Sequence, residues 1–132
     1  MTSLGTSAAD ACPCGGASYR TCCAPFLLRE SWPSTAEQLM RSRYTAFAVQ
    51  DAEHLLRTWH PRTRPEAIAL GERRWTGLTI TDRVDGAADD LMGIVAFTAH
   101  WLDDDRPGTL TERSAFVKRG GRWFYLAPTP DG

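Results

Sequence analysis

Cys12, Cys14, Cys22 and Cys23 are the only cysteines in this sequence, and they fall within twelve residues of one another. Thiolates at that spacing can meet on one soft dication, four sulfurs around it in a tetrahedron. Two other fates compete: two disulfides in an oxidising compartment, or free thiols. The stretch 1–11 carries no basic n-region and no long apolar run, so it reads as no secretory signal. A direct bridge between the adjacent Cys22 and Cys23 would be strained, whereas cross-bridges to Cys12 and Cys14 are sterically open. The metal reading is favoured, with zinc the default because iron–sulfur ligands are usually more widely spaced. Gly15 and Gly16 permit the turn that returns the second thiol pair, and Pro13 has no backbone N–H to donate. Four thiolates leave a net double negative charge on the site, which backbone N–H groups and a nearby cation would offset, with Arg20 as the candidate.

Outside the cysteines, Arg43 is the most informative residue. Helical spacing puts it near the middle of an apolar face, between Leu39 and Phe47, with Arg41 pointing elsewhere. A guanidinium there must be paired or must reach water along the core edge. Glu112 is the expected partner, since it alternates with Ser114 and Phe116 on one strand face. Arg43, Glu112, Ser114 and Tyr125 are expected to converge in a polar pocket, with Tyr44 of the same helix beside them; a purely structural ion pair is the alternative. His60, just before Pro61 at a helix end, is a candidate acid or base or else a capping histidine, and the helix dipole would favour its charged form. His54 faces away from the apolar stripe and is expected in solvent. Asp103-Asp104-Asp105 reads as a solvated turn, because a calcium loop needs more ligands at defined spacing.

The elements that hold these residues follow from pattern. Residues 1–10 read as a disordered tail and 11–33 as the cysteine knuckle with a Pro-containing connection. A helix–sheet domain then occupies 34–128. Ser34 and Glu37 make a capping-box pattern for a helix to about Gln50, with Ala36, Leu39, Met40, Tyr44 and Phe47 on one face. Asp51 caps a second helix whose apolar face is Ala52, Leu55, Leu56 and Trp59. Pro65 is expected to open a short third helix to about Arg73. Four strands follow, 75–84, 91–102, 110–119 and 122–127, the last two joined across Gly120-Gly121. Helices followed by a meander imply an α+β domain, a curved antiparallel sheet laid on N-terminal helices.

The formal net charge is −1, which argues against a general nucleic-acid binder. The local arginine excess between Arg41 and Arg74 reads as a solvated face, since the chain uses Arg almost everywhere and Lys only at Lys118. No stretch is apolar enough to cross a membrane, and the cytoplasm is the expected location. Phosphate-cradling glycine loops and metalloprotease motifs are absent from the sequence.

Cys12-Pro13-Cys14-Gly15, Tyr19 and Cys22-Cys23 resemble the SEC-C motif, a short zinc-binding module, with one residue fewer between the cysteine pairs. The run Leu39-Met40-Arg41-Ser42-Arg43-Tyr44-Thr45-Ala46-Phe47, then Thr58-Trp59-His60-Pro61, Glu112-Arg113-Ser114 and Gly121-Arg122-Trp123-Phe124-Tyr125, resembles the YchJ-type family of small bacterial proteins. The resemblance implies a cone-shaped domain like that of nuclear transport factor 2, attached to a zinc knuckle. It implies no reaction. From it we expect a binding or adaptor module that recognises a protein or ribosome-associated partner through the knuckle, or a small ligand in the cone. The alternative is a lyase- or isomerase-type enzyme, or a ligand carrier, working in the cone pocket.

Overall fold

The computed structural model describes residues 11–129. The tail expected over 1–10 lies outside them. The first elements are a 3-10 turn at Tyr19–Thr21 and a short helix α1 (Ala24–Leu27), followed by α2 (Ala36–Val49) and α3 (Ala52–Arg57). Four strands complete the chain: β1 (Arg74–Asp85), β2 (Met92–Asp103), β3 (Arg106–Arg119) and β4 (Arg122–Pro128). They form one antiparallel meander in the order β1-β2-β3-β4. The expected α+β architecture is what the chain adopts.

Two turns set the meander's register. Gly120 and Gly121 have φ of 60° and 80°, and Asp104 and Asp105 have φ of 53° and 68°. Paired positive φ values make the two-residue turn whose twist suits a hairpin. The acidic run is thus a tight turn between β2 and β3, with Asp103 paired to Arg106. Bulges between Trp75 and Gly77 and between Ile80 and Asp82 bend β1 against β2. The bend curls the sheet around α2, which packs on β1, β2 and β4. Val95, Phe97 and Ala99 of β2, Phe116 of β3 and Trp123 of β4 form the buried face with Leu39 and Tyr44.

Helix α2 starts one residue later than expected. Thr35 is the N-cap and accepts from Gln38 N at 3.1 Å, while Gln38 Oε1 accepts from Ser34 N at 2.8 Å. Ser34 does not cap: its Oγ donates to Gln38 Oε1 at 2.9 Å, and its carbonyl accepts from Trp123 Nε1 of β4 at 3.1 Å. The helix stops where Gln50 turns left-handed, φ 65°. Asp51 caps α3 as expected, accepting from His54 N at 3.0 Å.

The third helix expected from Pro65 does not form; 65–73 is irregular. That stretch has Ala67 exposed, only Pro65, Ile68 and Leu70 half-buried and nothing fully buried, so it lacks the packing a helix of two turns needs. Residues 58–60 do unexpected work instead. Tyr125 N donates to Thr58 O at 2.9 Å and His60 N to Tyr125 O at 2.8 Å. This covers the outer edge of β4, which would otherwise offer unpaired backbone groups.

Candidate functional site

The knuckle brings the four Sγ atoms within 4.8 Å of one another. Cys14 and Cys22 are 3.5 Å apart and Cys22 and Cys23 4.0 Å, too long for S–S bonds. All four are free thiols. A tetrahedral ion with metal–sulfur bonds of about 2.3 Å would separate its sulfurs by about 3.8 Å. The donor set therefore fits a thiolate-bound metal ion. Its protonation chemistry agrees: the neighbouring Cys14 and Cys23 thiols hold the Cys12 pKa far down, while burial and the neighbouring Cys14 push Cys22 up to about 12. One negative charge is tolerated and the next is resisted, a conflict that a dication between the sulfurs removes.

The surroundings are shaped for this cluster. Thr45 Oγ1, buried on α2, donates to Cys23 Sγ at 3.3 Å and lies 3.7 Å from Cys12 Sγ. The cation next to the knuckle is Arg41, not Arg20, which is exposed. Arg41 Nη1 donates to Cys14 O at 2.8 Å, and its Nε pairs with Glu37 at 2.8 Å. Glu37 in turn takes Arg83 of β1 at 2.7 Å. A chain of charges thus ties sheet, helix and knuckle together. Arg41 does point away from the apolar face of Arg43, as expected, and with Thr45, four residues on, it makes a second face of α2 that meets the knuckle.

On its other face α2 sends Met40, Arg43, Tyr44 and Phe47 toward the concave sheet, enclosing a cavity of about 220 Å³. Leu110, 42% exposed, marks its mouth. The structure brings Arg43, Tyr44, Glu112, Ser114 and Tyr125 onto this one cavity; His60 is not among its lining residues. His60 Nδ1 instead accepts from Arg62 N at 3.0 Å. Desolvation first, then the charges of Arg119 and Arg62, lower the His60 pKa, opposite to the dipole-based expectation. Helix α3 has already ended at Arg57, so its dipole gives way to nearby arginines.

Arg43 is only 4% exposed. It forms no ion pair with Glu112, contrary to expectation, and does not reach solvent along the core edge. Its Nη1 donates to Leu55 O at 2.8 Å and Thr58 Oγ1 at 2.7 Å, meeting the C-terminal end of α3. The guanidinium packs against the rings of Trp59, 4.9 Å to the centroid, and Tyr125, 4.4 Å. Burial pulls its pKa down to about 9, against the pull of Tyr125 and Glu112, so it stays cationic at neutral pH. Glu112 Oε2 accepts from Ser114 Oγ at 2.7 Å. Burial, then the Glu112 carboxylate, push Tyr125 up to about 12, so its phenol keeps its proton. Tyr125 thus stands between the two opposite charges, its ring packed on Arg43 and its hydroxyl held neutral by burial and the field of Glu112.

His54, expected in solvent, is 1% exposed. The buried stripe of α3 is His54, Leu55 and Thr58, which a count of apolar residues overlooks because two of the three are polar. Ser42 Oγ donates to Leu39 O at 2.9 Å, so the 2.9 Å bond between Ser42 Oγ and His54 Nε2 has the imidazole as donor. Arg57 Nη2 donates to His54 Nδ1 at 2.9 Å, and the ring is neutral. Burial, then Arg57, hold its pKa down at about 4. The unfolded chain takes the proton near pH 6.5. Stability is therefore full above about pH 6.5 and falls toward pH 4, with about 2 kcal/mol lost by pH 5. Urea unfolding at pH 7 and pH 5 should show that loss, and His54→Gln should remove it. The cysteines respond to acid alike in both proteins, so equal losses would clear His54.

Residues 35–128 match the middle NTF2-like domain of YchJ. A UPF0225 protein of Streptomyces coelicolor is 50% identical over 116 residues, covering 86% of this chain and 90% of that one. UPF0225 protein YchJ of Shigella dysenteriae is 41% identical over 125 residues, covering 89% and 82%. Among solved structures, a SEC-C motif containing protein from Rhodopseudomonas palustris superposes with a TM-score of 0.79 at 28% identity, over 90% of this chain and 97% of that one. Another, from Psychrobacter arcticus, gives 0.76 at 26% identity, over 92% and 83%. With its cone domain matched nearly end to end and its relatives alike over most of their length, the chain belongs to the YchJ, or UPF0225, family.

Proposed function

We propose that this is a cytoplasmic, zinc-stapled binding protein whose cone holds a small ligand. The observation that carries the reading is the cavity with a buried, carboxylate-free guanidinium among its lining residues. Nη1 is hydrogen-bonded inside the protein, but Nε and Nη2 have no acceptor among the described residues, and an anionic group of a ligand would supply it. In this reading the zinc is structural, because four thiolates leave it no open position. It fixes the knuckle against Thr45 and Arg41, and so fixes the helix that roofs the cone. The outer face of the knuckle, a shallow groove along Gly16, Ala17, Ser18 and Thr21, would seat a protein or ribosome-associated partner.

A catalytic version has one observation in its favour. Glu112 and Ser114, hydrogen-bonded to each other, share the cavity wall with Tyr125, within reach of any occupant. Glu112 would be its base and His60 would have no part.

The test is a screen of small organic molecules against uniformly ¹⁵N-labelled, zinc-loaded protein. Binders should shift the amides of Arg43, Ala99 and Ser114 and leave those of the β2–β3 turn in place. A screen in which hits cluster anywhere but the cavity would refute the reading. Turnover of a cavity binder that is lost in Glu112→Gln would favour the enzyme.

A further inference from the structure

Arg43 has five N–H groups, and both hydrogens of Nη1 are committed to Leu55 O and Thr58 Oγ1. Nε and Nη2 have no acceptor among the described residues. Neither is sealed inside protein as the unpartnered Arg57 Nη1 is, so both face the cavity that Arg43 lines. Packing against Trp59 and Tyr125 fixes the plane of the guanidinium. What it presents is therefore a single fork, Nε–H beside Nη2–H, held rigid. That fork matches the two oxygens of a carboxylate.

The rest of the cavity narrows the choice. Met40, Tyr44, Phe47, Trp75 and Phe97 give it apolar and aromatic walls. Glu112 is the second charge on the cavity wall, and its carboxylate opposes any occupant with more than one negative charge. A phosphate monoester or a dicarboxylate would set its extra charge in an apolar space beside that group.

We propose that the cone takes a small monocarboxylic acid with an aromatic or branched apolar body, its carboxylate bound by the Nε–Nη2 fork of Arg43. This rests on the reading of the cone as a ligand site.

The experiment compares phenylacetate and 3-methylbutanoate with their uncharged amides on the zinc-loaded, full-length protein, by titration calorimetry and by the Arg43 Nε–H resonance. A charge-assisted pair in a buried site should make each acid bind at least tenfold more tightly than its amide, and should move the Nε–H signal. Arg43→Gln should erase the acid's advantage. The comparison on the unmodified protein stands by itself if that variant fails to fold. Acid and amide binding equally in the cavity would overturn the inference and leave the ligand-site reading intact. Binding of the acid without movement of the Nε–H signal would overturn it too. If neither acids nor amides perturb the cavity, and the wider screen finds no cavity binder, both readings fall.

Discussion

Stripping the zinc proposed for the knuckle from the purified protein should lower its thermal midpoint by roughly 15–25 °C while leaving the sheet's circular dichroism in place below the transition. Structural zinc supplies about 10–16 kcal/mol to peptides that fold only around it. Here the cone has a core of its own, with Val95 and Trp123 at 1% exposure and Phe116 at 0%. Only part of the metal's contribution should therefore reach global stability, about 5 kcal/mol, and in a domain of this size each kcal/mol moves the midpoint by about 3–5 °C. Residues 11–33 should lose their amide protection first, because their own regular structure is only a 3-10 turn and the four-residue α1. Calorimetry with and without a strong chelator, beside elemental analysis, checks this. An unchanged midpoint in protein shown to be metal-free would contradict it. Gly16→Ala should weaken the site without touching a ligand. A Cβ there would lie 2.7 Å from Cys22 Sγ, so the loop must open, and metal affinity should fall at least tenfold.

Filling the cone should separate binding from stability. Ala99 lies on the cavity wall at 3% exposure. Ala99→Leu puts three more carbons into space the fold leaves empty. Affinity for the apolar carboxylates should fall at least a hundredfold. The protein should lose less than about 1 kcal/mol and can gain that much, since filling a void differs from overpacking a full core. Chemical denaturation and calorimetric titration of the same preparation check both halves. A loss of more than about 3 kcal/mol would mean that the space is not available to a side chain, and so not to a ligand.

How much of this was legible in the sequence depends on what kind of force placed each residue. The meander was readable because its turns rest on local backbone chemistry, paired glycines in one and paired aspartates in the other. The knuckle was readable because ligand spacing is itself the signal. Arg43 could be placed on the core face of its helix from its position between Leu39 and Phe47, which left open whether its head reached water. Its partners could not, because they are a carbonyl and a hydroxyl at the end of another helix, and neither has a sequence signature at a distance. The pairing with Glu112 failed for the same reason: charge complementarity names a candidate, and geometry chose the C-terminus of α3. His54 and Thr45 were misplaced or passed over because polar residues were counted as surface. Each is buried, and each has its hydrogen bonds met by a group that only the folded chain brings near.

Helix α2 carries two unrelated duties on two of its faces. Arg41 and Thr45 serve the knuckle; Met40, Arg43, Tyr44 and Phe47 serve the cone. Each residue added to or removed from a helix turns everything beyond it by about 100°. A single substitution between Leu39 and Phe47 can damage one duty and spare the other. A single-residue insertion or deletion cannot, because it sends the thiol-facing hydroxyl and the buried guanidinium to wrong addresses together. Among descendants of this gene, the nine residues from Leu39 to Phe47 should therefore vary in letters but never in length.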